Sequence, residues 1–160
     1  MAQRIWLDET PPKPFALPGA TPHYTPDRPV QVEHIALDLD LDIDAETVVG
    51  ECSLRLRSRR EGVTQLRLDA VDLQIDQVRC NGSAQPYQYD GAVLIVNLTL
   101  TSHVDEVLEL LIHYRLEQPR RGIYFIKPTP DYPDKPVQVW TQGEDEDSRY
   151  WFPCFDYPGQ

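Results

Sequence analysis

The sequence predicts an all-β, mainly antiparallel fold, a β-sandwich or open sheet preceded by an extended, Pro-rich N-terminal arm. Three observations lead there. Apolar residues recur with a period of two in one run after another, Asn-Gly and Asp-Gly dipeptides punctuate the runs, and no stretch keeps a helical period beyond about two turns. At 160 residues the chain is the size of one domain, long enough to bury roughly two-thirds of the surface its unfolded form exposes.

The elements follow in order. Pro11, Pro12, Pro14, Pro18, Pro22, Pro26 and Pro29 crowd the start, where they remove backbone donors and fix φ, so residues 1–30 read as an extended arm and 31–160 as the β-domain. Ile35, Leu37, Leu39, Leu41 and Ile43 alternate with Ala36, Asp38, Asp40 and Asp42, the pattern of a strand with one buried face. Cys52 to Ser58 alternates again and turns Arg55 and Arg57 outward. An acidic strand face followed by a basic one predicts that the two pair, each opposite-charge contact contributing ~0.2–1 kcal/mol. Further runs are Gln65–Asp69, Leu73–Ile75, Leu94 to Leu100 with Val96 and Leu98 on the same face, and Leu108 to Leu116. Val104 to Leu116 is read as a strand because its second half alternates strictly. Asn81-Gly82 and Asp90-Gly91 accept positive φ and suit hairpin turns. No internal repeat is present.

Composition narrows the function classes. A net charge of −11 and a pI near 4.6 disfavour nucleic acid and anionic membranes as partners, since the phosphate attraction on which such binding rests becomes repulsion. An acidic surface either serves solubility alone or has a field that helps draw cationic groups such as peptide N-termini, and charge alone does not choose between them. Cys52, Cys80 and Cys154 are odd in number and contain no C-x-x-C pair, which argues against a disulfide framework and a thiolate zinc knuckle and predicts a reducing, cytoplasmic setting. The first residues carry no apolar h-region, and no run approaches the roughly 18 apolar residues of a membrane span.

Several motif look-alikes fail on chemistry. Asp38-x-Asp40-x-Asp42 imitates the opening of a calcium loop, but Ile43 stands where the sharp turn needs Gly and Val49 where a bidentate Glu is needed. His23, His34, His103 and His113 contain no i, i+4 pair, H-E-x-x-H is absent, and so are phosphate loops and a G-x-S-x-G elbow. Cys154 has no nearby His and reads as a packed thiol. The sequons at Asn81 and Asn97 need a secretory route, and Asn81 reads as a turn residue. Glu144-Asp-Glu-Asp147 reads as a solvated charge run. Gln142 and Glu144 stand two apart, so on an extended segment both side chains leave one face, where an acceptor pair could receive an ammonium group. That pattern suits recognition, not bond breaking.

The same stretch carries a resemblance. Thr141-Gln-x-Glu144, then Ser148-Arg149, then Phe152-Pro-Cys-x-Asp156-x-Pro158 resembles the T-Q-x-E…A-R…F-P-C-x-D-E-P signature of the M1 zinc aminopeptidases, the leukotriene A4 hydrolase-like gluzincins. Arg121-Gly-Ile-Tyr124 is similar to the R-x-G-[LI]-Y segment that precedes it. The chain departs from the pattern at Tyr157, where the family has Glu, and at Ser148, where it has Ala.

The resemblance implies an N-terminal, saddle-like β-domain that packs on a thermolysin-like catalytic domain. By match, Gln142 and Glu144 reach into the cleft and Glu144 binds the free α-amino group of a peptide substrate, while Arg149 and Asp156 organise the loop. Zinc is implied for the catalytic domain of the parent protein and not for this chain, which is expected to be inactive alone because it has no H-E-x-x-H. The family's β-domain continues for several strands beyond this motif, so the chain is expected to be cut short at Gln160. Two alternatives stay open: an M1-like scaffold or protein-interaction module without catalysis, and a free-standing β-sandwich that binds other molecules.

Overall fold

The computed structural model describes residues 27–157, so the Pro-rich arm lies, but for its last few residues, outside the described part. The strands are β1 (Val30–Asp42), β2 (Thr47–Ser58), β3 (Val63–Asp69), β4 (Gln74–Cys80), β5 (Ser83–Ala84), β6 (Tyr87–Tyr89), β7 (Val93–Ser102), β8 (Val107–Glu117), β9 (Ile123–Ile126) and β10 (Gln138–Thr141). Every pairing is antiparallel. A five-stranded sheet runs β1-β2-β8-β4-β5, a three-stranded sheet runs β3-β7-β6, and β9 and β10 form a separate hairpin.

Period-two alternation builds the core. Val48, Cys52, Leu54 and Leu56 of β2 and Leu108, Leu110, Ile112, Tyr114 and Leu116 of β8 point one way and are buried, while Arg55, Glu109 and Arg115 point the other way into solvent. Leu66, Leu68, Leu94 and Val96 of the smaller sheet join them in one hydrophobic cluster. Each such side chain contributes about 1.5–3 kcal/mol through burial. Gly50 sits opposite Tyr114 and leaves room for the phenol ring.

The turn chemistry reads as the sequence suggests. Asn81 and Gly82 both adopt positive φ, 49° and 78°, between Cys80 and Ser83, which pair directly. In the Asp90-Gly91 turn the Asp90 side chain accepts bonds from the backbone N–H groups of Ala92 and Val93.

Three expectations need correction. The leucine face of β1 is not a fully buried one: Leu37 and Leu39 are half-buried, and Ile35 and Leu41 are 43% and 38% exposed. β1 is the edge of a five-stranded sheet faced by only three strands, so its inner face overhangs the cover. β1 and β2 do pair, but not through the charges that suggested it. The register sets Asp38 opposite Glu51, Asp40 opposite Val49 and Asp42 opposite Thr47, whereas Arg55 and Arg57 both bind Glu33 at the other end of the strand. An antiparallel register inverts the order of the charges, and sequence proximity does not reveal that. Leu100, expected on the inner face of β7, is 82% exposed. Val63 pairs with Ser102 and Gln65 with Asn97, so β7 carries extra residues there and the alternation shifts, turning Ser102 inward to a 3.0 Å hydrogen bond with Ser58.

Candidate functional site

The β9–β10 hairpin ends where the acidic stretch begins. Thr141 pairs with Ile123, and the Gln142 N–H donates to Gly122 O at 2.8 Å. The chain then turns instead of extending: Asp147 N–H donates to Gly143 O at 3.0 Å, and Ser148–Tyr150 forms a 3-10 turn. The extended geometry expected for Gln142 and Glu144 is therefore replaced by a turn that starts at Gly143. A Cβ on Gly143 would fall 2.7 Å from Ser148 Oγ, so a side chain there would require the hydroxyl to rotate away.

Within the turn, Gln142 Oε1 accepts the backbone N–H of Glu144 at 3.2 Å. The structure thus brings the two residues together through one side chain and one backbone group, with the Gln142 acceptor already engaged. The Glu144 side chain is exposed, and among the described residues its carboxylate makes no hydrogen bond or ion pair. It is an open acceptor for a cationic group.

The acids that follow Glu144 are not uniformly solvated, which corrects the reading of a simple charge run. Asp145 is exposed, but Glu146 is half-buried and Asp147 is buried. Arg149 holds Glu146 at 2.6 Å and Arg121 holds Asp147 at 2.6 Å. The Arg121 guanidinium also lies 4.8 Å from the centre of the Tyr150 ring and donates to the Tyr150 hydroxyl at 3.3 Å. Beside it, Gly122 has φ +80°, and a Cβ there would meet Asp147 O at 2.5 Å and Trp151 Cδ1 at 2.8 Å.

Arg149 and Asp156 close the other end of the loop. Asp156 Oδ2 accepts from both the backbone N–H and the Nε–H of Arg149, each at 3.0 Å, and Arg149 also donates to Asp156 O at 2.6 Å. Burial pulls the Arg149 pKa down, and Asp156, Asp69 and Glu146 outweigh it, so it is raised overall. The pair is stitched to the smaller sheet, because Asp156 N–H donates to Asp69 Oδ2 at 3.1 Å, Val71 N–H donates to Arg149 O at 2.8 Å, and Asp69 and Cys154 exchange backbone bonds.

Phe152, Pro153 and Cys154 are buried, with Cys52 Sγ donating to Pro153 O at 3.5 Å. Burial pushes the Cys154 thiol up, the opposite of what a nucleophile requires. Elsewhere the other sequence candidates remain apart. Asp38, Asp40 and Asp42 are solvated, His103 pairs with Glu61 and His113 with Glu51. Asn81 caps the Glu109 N–H, and Asn97 accepts from Gln65.

Sequence reasoning passed over Arg121, Gly122 and Asp147 as individual residues. Asp147 stands before the Ser148–Tyr150 turn, where Asp commonly caps, yet its side chain makes no capping bond and is held by Arg121 instead. No local pattern pairs it with an arginine 26 positions upstream.

The sequence profile described as the Peptidase M1 N-terminal domain matches residues 21–160. The chain is 24% identical over 156 residues to leucine aminopeptidase 2 of Coccidioides immitis, an alignment that covers 93% of this chain and 25% of that protein. It is 36% identical over 61 residues to transcription initiation factor TFIID subunit 2 of Gallus gallus, covering 36% of this chain and 5% of the relative. In fold it is similar to the M1 zinc metallopeptidase of Deinococcus radiodurans, with a TM-score of 0.65 at 19% identity over 82% of this chain and 30% of that one. The chain therefore spans less than a third of each of these proteins.

Proposed function

This chain belongs to the Peptidase M1 N-terminal domain family, and on that premise we propose that it serves a zinc-dependent aminopeptidase as the domain that anchors the free α-amino group of a peptide substrate. The observation that carries the reading is the open carboxylate of Glu144 on a turn whose neighbouring acids Glu146 and Asp147 are both held by arginines. An ammonium group brought to Glu144 forms charge-assisted hydrogen bonds, which orient the peptide and select for an unblocked N-terminus. Gln142 fixes the backbone of Glu144 and keeps its amide nitrogen as a donor.

Among the described residues no three His, Cys, Asp or Glu groups come together as a metal-holding set. The reading places zinc and bond cleavage in a thermolysin-like catalytic domain of the same protein, the partner against which this domain packs. A cytoplasmic setting belongs to the same proposal and is supported by three buried, unbridged cysteines.

The test is kinetic. In the protein that joins this domain to a catalytic domain, Glu144→Ala removes an amine acceptor desolvated by substrate and lowers kcat/KM by the equivalent of about 2–5 kcal/mol. An unchanged kcat/KM removes Glu144 from the site.

The match to a transcription factor subunit favours a second reading, an M1-like scaffold without catalysis. H-E-x-x-H with a downstream Glu in the parent protein supports the enzyme, and its absence supports the scaffold.

A further inference from the structure

We propose that Arg121 is a positioning residue for amine recognition, acting through Asp147 to hold the Gln142–Glu144 turn in place. The inference rests on the reading of Glu144 as the amine anchor and adds to it a residue that lies outside the turn.

A closed circuit of contacts carries it. Gly122 O takes the Gln142 N–H at 2.8 Å, and Gly143 O takes the Asp147 N–H at 3.0 Å. The Asp147 carboxylate returns to Arg121 at 2.6 Å, and Arg121 precedes Gly122 in the chain. Gln142, Gly143 and Glu144 lie inside this ring, with Glu144 tied to Gln142 by its own backbone N–H. Each backbone bond in the ring is one that a shift of the turn would break. The side-chain link is the only ionic one, and it is asymmetric: the Asp147 side chain is 11% exposed and that of Arg121 is 56% exposed.

Removing Arg121 leaves the Asp147 carboxylate buried without its cation, and the low-cost response is for the turn to swing Asp147 toward water. That movement carries Glu144 with it. Tyr150, which lies under the guanidinium, gives the arginine a second hold that an ammonium side chain reproduces less well. Gly122 completes the seat, because any side chain there would collide with Asp147 O.

The experiment is a mutant cycle in the protein that joins this domain to its catalytic domain, read as KM and kcat for an aminoacyl substrate with a free amine. Arg121→Met is expected to raise KM about five- to tenfold with kcat within about twofold, and Arg121→Lys to recover part of the loss. In a Glu144→Ala background the same Arg121→Met change is expected to add less than about twofold, because the residue through which it acts is gone. Asp147→Asn, nearly isosteric, is expected to reproduce the KM effect and stands in should Arg121→Met fail to fold. Full additivity of Arg121→Met and Glu144→Ala, or an unchanged KM in both Arg121→Met and Asp147→Asn, overturns the inference. If Glu144→Ala itself leaves KM unaltered, the amine-anchor reading fails and this inference fails with it. A Glu144→Ala effect beside silent Arg121 and Asp147 variants overturns the positioning role alone.

Discussion

Gly50 and Tyr114 face each other on β2 and β8, and a Cβ on Gly50 would fall 2.7 Å from Tyr114 Cζ. The phenol therefore occupies the volume that any other residue at position 50 would need. Gly50→Ala should destabilise the domain by about 1–3 kcal/mol through overpacking, measured as a lower urea midpoint with an unchanged slope. The hydroxyl of Tyr114 is buried without a hydrogen-bond partner among the described residues. Tyr114→Phe is accordingly expected to be neutral or stabilising by up to about 1 kcal/mol.

Arg149 and Asp156 form the most buried ion pair of the loop, with side chains 20% and 9% exposed. Arg149→Met strands the Asp156 carboxylate and should cost about 3–5 kcal/mol. Asp156→Ala should cost less, because Glu146 and the backbone carbonyl of residue 156 still hold the guanidinium. Calorimetry of the two single variants and the double variant should show strong coupling, with the double variant losing less than the sum.

Acid should weaken the fold from one identifiable turn. The Asp90 carboxyl is held below its usual value of 3.8 by the backbone N–H groups of Ala92 and Val93. A depressed folded pKa adds stability that is fully present above the unfolded value and is lost as pH falls through the folded one. Asp90→Ala should therefore narrow the stability difference between pH 6 and pH 2, and an identical acid profile for both proteins would exclude this contribution.

The thiols should be inert in the native state. Burial pushes Cys52 up to about 12 and also raises Cys80 and Cys154. Buried and protonated at pH 8, the thiols should leave the folded protein unmodified by iodoacetamide, which should label all three cysteines in denaturant. Mass spectrometry reads the outcome, and rapid native labelling of Cys154 would contradict its burial.

Much of the fold is legible in local pattern. The alternation of Cys52 to Ser58 and of Leu108 to Leu116 identifies β2 and β8 and the faces they bury, because a strand sends successive side chains to opposite sides wherever it lies. Asn81-Gly82 identifies its hairpin because few other dipeptides accept positive φ twice in succession. The short strands β5, β6, β9 and β10 escape notice, being too brief to establish a period. The 127–137 segment between β9 and β10 carries Pro128, Pro130, Pro133 and Pro136, which hides the hairpin further.

The site divides along the same line. Its membership in the Peptidase M1 N-terminal domain family, its all-β class and its acidic character rest on residue order and composition, which the chain carries before it folds. The register that sets Asp38 against Glu51, the overhang of β1, the turn at Gly143 and the grip of Arg121 on Asp147 were decided only by tertiary structure. Each depends on what another part of the chain places opposite. A local pattern says which way a side chain points, and only the assembled sheets determine what it meets.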